Sequence, residues 1–229
     1  MTAWINAARY HLVRPAANLA TLPWIALACV FAVEWIILFS SPGAAPMPRP
    51  GCAVVCIVFV IMGVRSLTRE LPLGLALGLS RRSYHLGTVL LAALLAAIDG
   101  LSLAGLQAIE RATGGWGVNL YAFRVPYLLD GPWYLSWLTS FVVLTLAFVY
   151  GLSFGLVYRR WRLLGVLTFI GAQMAVLLIA EVIVVGTRAW PGVHDFFATL
   201  TPAGFTGVLA ALAVLLLVSA FTTVRRVTV

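Results

Sequence analysis

The stretch LLGVLTFIGAQMAVLLIAEVIVV, residues 163–185, decides the fold class of this chain. It contains a single charged side chain, Glu181. A bilayer core about 30 Å thick takes about 20 helical residues to cross, so the stretch predicts a transmembrane helix. Charged or Pro/Gly clusters divide the rest of the chain into five further apolar runs, at residues 19–40, 51–64, 86–108, 133–157 and 205–224. The predicted fold is therefore all-α and polytopic, with six transmembrane helices.

The composition agrees with this fold class. Of the 229 residues, 62% are hydrophobic and 10% are charged, and the mean hydropathy is +1.04. Soluble domains have about 45 to 50% apolar residues. Six crossings with short connections leave no length for a sizeable soluble domain, so we expect one membrane domain over residues 1–229.

The distribution of arginine predicts the orientation. The net charge of +8 arises from 15 arginines and no lysine, against seven acidic residues. Eleven arginines fall before the first run and in alternate connections: Arg9, Arg14, Arg65, Arg69, Arg81, Arg82, Arg159, Arg160, Arg162, Arg225 and Arg226. The other side has Arg49, Arg111, Arg124 and Arg188. Because positive residues near helix ends stay in the cytoplasm, both termini are predicted to be cytoplasmic in a multi-pass cell (inner, or plasma) membrane protein.

The connections also carry predictions. Residues 1–15 place Trp4, Ile5, Ala8 and Leu12 on one face, which is typical of an amphipathic helix at the inner interface. Residues 107–132 are predicted to form an external loop, and residues 186–204 an external segment before the last helix. No basic stripe interleaves with aromatic residues on a soluble face, so nucleic acid is not an expected partner, whereas membrane lipids are.

The absence of lysine excludes one class of function. A phosphate-binding P-loop uses a lysine to reach the β and γ phosphates, and this chain has none. It is therefore not expected to hydrolyse ATP, and any nucleotide site must lie on another polypeptide. We predict no catalytic residue, no cofactor and no metal on this chain. Its three cysteines all fall in apolar runs, and Cys52 and Cys56, which share a helix face, have no His or acidic neighbours.

The connection at residues 65–86 is longer than a simple turn between helices requires. Ser80 is a suitable N-cap for a short helix that begins at Arg81. We expect that helix to present Arg81, Arg82, Tyr84 and His85 to the cytoplasm. Arginine forks and an aromatic ring suit docking to a partner, although positive-inside charge alone explains the arginines equally well.

The sequence ELPLGLALGLSRR, residues 70–82, resembles the coupling segment of type-2 ABC exporter permeases, especially the small ones of high-GC Gram-positive bacteria. Six helices, an amphipathic lead-in and the lack of an ATPase domain are similar to that family along the whole chain. The resemblance implies an efflux permease subunit that forms a dimer, as a homodimer or with a related chain.

The resemblance also implies two ABC ATPase subunits as partners, which would bind ATP and Mg²⁺. Residues 78–85 would sit in a groove on each ATPase, and residues 158–162 would make a second cytoplasmic contact. The implied coupling residues are Gly78, Ser80, Arg81, Arg82, Tyr84, His85, Arg159, Arg160 and Arg162. Residues 188–203 would correspond to the family's short external helices.

Three carboxylates lie within apolar runs, namely Glu34, Asp99 and Glu181. An ionisable group at the bilayer centre costs at least about 2.5 to 3.5 kcal/mol, so each should face protein or water. They are candidates for the substrate path, or they pair structurally with outer arginines. If they exchange protons, the chain is a proton-coupled transporter; a third possibility is a non-transporting membrane scaffold or immunity protein.

The sequence Gly151-Leu152-Ser153-Phe154-Gly155 has the G-x-S-x-G spelling of a nucleophile elbow, as in a serine hydrolase. A six-helix membrane protease would need a histidine base within the helices, but all three histidines fall in predicted termini or loops. We therefore interpret Gly151 and Gly155 as small residues that allow close packing of helices.

Overall fold

The computed structural model describes residues 16–40, 51–76, 78, 80–123 and 132–226, and its regular elements there are helical. In chain order they are α1 (Ala16–Phe39), α2 (Cys52–Arg65), a π-helical turn (Ser66–Glu70), α3 (Leu71–Ala76), α4 (Arg81–Ala112), α5 (Trp133–Gly186), α6 (Trp190–Thr199) and α7 (Pro202–Arg226). The predicted interfacial helix at 1–15 and the arginines Arg9, Arg14, Arg49 and Arg124 lie outside the described residues.

The apolar runs of the sequence correspond to these helices. In the described residues, four continuous helical stretches are long and apolar enough to cross a membrane: 20–39, 52–76, 82–112 and 133–186. The apolar part of α7 is shorter, Pro202–Val218. The structure thus confirms an all-helical chain with several helices that could span a membrane, while six crossings and their orientation stay predictions.

Helix α5 has 54 residues and is bent at Arg162, where φ is 56° and ψ is −148°. At 1.5 Å per residue a straight helix of this length would be about 80 Å long, far more than a bilayer is thick. Phe154 and Phe169 meet edge-to-face, with ring centroids 5.1 Å apart. Farther from the bend on each arm, Tyr150 donates a hydrogen bond to Gln173. The arms 133–161 and 163–186 therefore form an antiparallel helical hairpin.

Three glycines allow α2 and the first arm of α5 to pack backbone against backbone. A Cβ at Gly63 would lie 2.2 Å from the carbonyl oxygen of Phe148, and a Cβ at Gly151 would lie 2.1 Å from that of Val60. At Gly155 it would lie 3.0 Å from the Cβ of Leu67. The interpretation of Gly151 and Gly155 as packing residues is confirmed. Buried side chains around this contact, among them Val55, Phe59, Leu144, Phe148 and Leu152, form the centre of the core.

Two boundaries differ from the sequence prediction. The second apolar run does not end near residue 64, because the helical path continues through the π-helical turn to Ala76. The region predicted as a loop from residue 107 is helical up to Ala112. Gln107 and Glu110 are buried there, so one face of the end of α4 packs against the protein, while Arg111 and Ala112 are exposed. Within residues 188–203, where the resemblance implies short external helices, the structure has one helix, α6.

Candidate functional site

The candidate site is the arginine-rich end of the bundle, which we define as the π-helical turn Ser66–Glu70, the first turns of α4 and the bend of α5. These three parts come from the two connections that the sequence analysis assigned to ATPase coupling. Hydrogen bonds join them. The Tyr84 hydroxyl donates to the Ser66 carbonyl (2.8 Å), and Arg159 Nη1 donates to the Leu67 carbonyl (3.3 Å).

The sequence around Pro72 explains why the Leu67 carbonyl is available to Arg159. In an α-helix the N–H of Leu71 would bond to the carbonyl of Leu67. Here the N–H of Leu71 bonds to the carbonyl of Ser66, five residues back, as in a π-helix. Pro72, the residue that would bond to Leu67 in that wider pattern, has no N–H. The guanidinium of Arg159 supplies the donor instead.

Ser80 caps α4 as predicted. Its φ and ψ are −69° and 146°, outside the helical region, and its Oγ accepts a hydrogen bond from the N–H of Ser83 (3.1 Å). Gly78, two residues earlier, has φ of 81°, a conformation that glycine adopts without strain. The helix that Ser80 caps is the whole of α4, with 32 residues, so the expected separate short helix is corrected.

The expectation that Tyr84 and His85 are presented to solvent is wrong for this chain. Tyr84 is 1% exposed and His85 is 5% exposed, because the first turns of α4 pack against the π-helical turn. Arg82 is exposed, as are Gly78, Arg160 and Arg162, while Arg159 is half-buried. The side chain of Arg81 lies outside the described part of the chain. The exposed charge at this end therefore includes Arg65, Arg69, Arg82, Arg160 and Arg162.

The three membrane carboxylates are not equivalent in the structure. Asp99 is 3% exposed, and its Oδ1 accepts a hydrogen bond from Trp24 Nε1 (3.0 Å), which joins α4 to α1. Glu34 is half-buried on α1. Glu181 is exposed near the end of the second arm of α5. Asp99 thus has a structural partner, but that partner is Trp24 and not an outer arginine as the sequence analysis suggested.

Sequence reasoning missed Glu110, a carboxylate that is 1% exposed near the end of α4. Its Oε2 accepts hydrogen bonds from the backbone N–H groups of Ala122 (2.8 Å) and Phe123 (3.0 Å) and from Trp116 Nε1 (3.3 Å). A negative charge is unfavourable at a helix C-terminus unless hydrogen-bond donors surround it. The position of Glu110 in the sequence was therefore a signal that such donors lie nearby. It holds the loop at residues 113–123, which lies at the end of α4 opposite Ser80.

The loop at residues 113–123 is also held by aromatic contacts. Trp116 meets Phe31 of α1 edge-to-face at 5.0 Å, and Phe123 stacks on Phe31 at 6.1 Å. Gly115 has φ of 91°, and a Cβ there would lie 3.1 Å from the Cα of Asn119. The loop is therefore packed against α1 and the end of α4, and the exposed arginines of the candidate site lie at the other end of α4.

The described residues contain no group of three or more His, Cys, Asp or Glu side chains that could hold a metal ion. Ser153 of the G-x-S-x-G sequence donates a hydrogen bond to the carbonyl of Val149 (3.2 Å) within its own helix. That bond is typical of a serine inside a helix, whereas a nucleophile elbow is a sharp turn between a strand and a helix.

Comparison of the chain with protein-family models, with curated proteins and with solved structures finds no match.

Proposed function

We propose that this chain is the permease subunit of an ATP-driven ABC exporter, with a separate ATPase docking at the arginine-rich end. The supporting observation is the Arg159–Leu67 hydrogen bond, since it joins the second implied contact, residues 158–162, to the π-helical turn that precedes the coupling sequence in the 65–86 connection. A push on the exposed face of the π-helical turn would reach both α2 and the bend of α5. Force applied at one end could then move three long helices together.

The charge at this end supports an acidic partner surface. Arg65, Arg69, Arg82, Arg160 and Arg162 are exposed within segments that meet there, and arginine forms bidentate hydrogen bonds with carboxylates. The buried positions of Tyr84 and His85 change the proposed contact. They position α4 against the π-helical turn, and the arginines make the contact with the ATPase.

The experiment is co-purification in mild detergent from the native host, followed by mass spectrometry of any companion with a P-loop sequence. The double variant Arg81→Glu/Arg82→Glu should lose that companion while the permease stays inserted and monodisperse. Arg188→Glu is the matched control, because Arg188 is exposed and follows the far end of the second arm of α5. Retention of the ATPase by the double variant would argue against this docking site.

Asp99 supports a second candidate, a proton-coupled transporter. A carboxylate in the middle of a membrane helix is by default a functional candidate, and Asp99 lies in the central part of α4. Asp99→Asn keeps an oxygen that can accept the Trp24 hydrogen bond but cannot exchange a proton at neutral pH. If this variant loses export while ATPase binding is intact, and export follows the proton gradient, the second candidate is favoured over the first.

A further inference from the structure

A cavity of about 550 Å³ lies between α2, both arms of α5 and α7. Its wall includes Cys56, Ala147, Phe169, Leu212 and Leu216. The wall lies in the apolar middle of the helices, since Ala147 is at the centre of the first arm of α5 and Leu212 is near the middle of α7. The volume is in the range of about 300 to 1,000 Å³ that is usual for small-molecule sites.

The cavity contains one polar pair in a mostly apolar wall. The Tyr150 hydroxyl donates to Gln173 Oε1, and Gln173 Nε2 makes a long hydrogen bond (3.4 Å) to the carbonyl of Phe169. These two side chains bond to each other and to the backbone, so the wall that faces the cavity is almost wholly apolar.

We propose that this cavity binds one hydrocarbon chain of a membrane lipid. The cavity is formed by helices that are long and apolar enough to lie in lipid, so the surrounding solvent at its depth is hydrocarbon. Contact between water and the apolar walls would be unfavourable, whereas an acyl chain is as apolar as the walls. The lipid would act as a filler between the α5 hairpin and α7. This inference does not depend on the proposed ATP-driven transport.

The test uses the full chain reconstituted in phospholipid vesicles that contain a phospholipid with a photoreactive diazirine on its acyl chain. After illumination, peptide mass spectrometry maps the labelled residues. Phe169 and Leu216 should be labelled about as strongly as Leu167 and Leu215, which lie on the same two helices, are 56% and 67% exposed and therefore contact bulk lipid. Label on Leu167 and Leu215 without label on Phe169 and Leu216 would overturn the proposal.

A matched pair of variants tests whether the label enters the cavity. Ala147→Phe places a ring in the cavity and should reduce labelling of Phe169 and Leu216 without changing that of Leu215. Ala172→Phe makes the same change on an exposed face of α5 and should leave the cavity label intact. If Ala147→Phe fails to fold, the labelling map of the unaltered protein still tests whether a lipid chain occupies the cavity.

A second measurement separates lipid from water in the cavity. In a variant with Cys29→Ser and Cys52→Ser, Cys56 is the remaining thiol and lies in the cavity wall. A charged maleimide should not modify Cys56 in the folded protein, because the reactive thiolate does not form in hydrocarbon, and should modify it after denaturation. Rapid modification of Cys56 by the charged reagent would show a water-filled cavity and overturn the proposal.

Discussion

At Arg162 the backbone of α5 has φ of 56° and ψ of −148°, a region that glycine enters readily and other residues enter with strain. Strain of this kind costs about 1 to 3 kcal/mol at a single residue. The hairpin contacts at Phe154–Phe169 and Tyr150–Gln173 hold the two arms together and so maintain the bend. The backbone conformation at this bend favours glycine, so the presence of an arginine there is explained by its charge.

Replacement of Arg162 by glycine and by alanine separates the strain from the charge. Both variants lack the guanidinium, so the difference between them reports on the backbone alone. Arg162→Gly should be more stable than Arg162→Ala by about 1 kcal/mol, after allowance for the greater unfolded-state entropy of glycine. Thermal unfolding in detergent should show a melting temperature about 2 to 4 °C higher for the glycine variant. Equal melting temperatures would mean that the bend is not strained.

Glu110 is the second residue whose effect can be isolated. Glu110→Gln removes the charge that strengthens the hydrogen bonds from Ala122, Phe123 and Trp116, with an expected loss of about 1 to 3 kcal/mol. Amide hydrogen exchange should speed up at residues 115–123 and stay unchanged at the arginine-rich end. Glu181→Gln is the control, because that carboxylate is exposed. No change in exchange at Ala122 and Phe123 would contradict the assigned role.

At the scale of the elements, the contact of α2 with the first arm of α5 depends on glycine. Gly151→Ala would place a methyl group 2.1 Å from the Val60 carbonyl oxygen, so the helices must move apart. Overpacking of this kind costs about 1 to 3 kcal/mol. In the same helix, Gly171 has nothing within 4 Å of an added Cβ. Gly171→Ala should therefore be neutral or stabilising by up to about 1 kcal/mol, since alanine is the better helix former.

Thermal unfolding of the two purified variants measures this difference. The melting temperature should fall by about 2 to 4 °C for each kcal/mol lost in Gly151→Ala, and should hold or rise in Gly171→Ala. If both variants unfold like the unaltered protein, the close approach of α2 and α5 does not limit stability.

How much of these elements the sequence predicts depends on the range of the interaction involved. The apolar runs predicted the helices, and Ser80 predicted the start of α4, because hydropathy and capping are local properties of the chain. Gly151 and Gly155 were predicted as packing residues from their four-residue spacing alone. By contrast, residues 65–76 were predicted as a connection because they mix charged and apolar side chains. In the structure the helix continues there through a π-helical turn.

The buried polar groups were harder to predict for the same reason. Tyr84 was expected at the surface beside two arginines, but its partner is the carbonyl of Ser66, 18 residues earlier in the chain. Asp99 depends on Trp24, and Glu110 on a loop that folds back over the end of α4. Pairings of this kind depend on how helices pack, and hydrophobic periodicity carries no information about that.

At the scale of the whole molecule, α4 separates two ends of different character. Its 32 residues extend about 48 Å at 1.5 Å per residue, which exceeds the hydrocarbon thickness of about 30 Å. The exposed Arg82 lies at the first end, and so does the bend of α5 with Arg160 and Arg162. The second end has the loop at residues 113–123 and begins at Ala112, which is exposed. The positive-inside rule predicts that the first end is cytoplasmic.

Two single-cysteine variants test this orientation in intact cells, in a background where Cys29, Cys52 and Cys56 are replaced by alanine. A membrane-impermeant maleimide should label Ala112→Cys directly. It should label Arg160→Cys only after the cells are permeabilised, and that second step shows that the thiol is accessible. Both positions are exposed in the structure, so a difference between them reports on the side of the membrane. Labelling of Arg160→Cys before permeabilisation would place the arginines outside, where no cytoplasmic ATPase could reach them, and the proposed function would fail with the orientation.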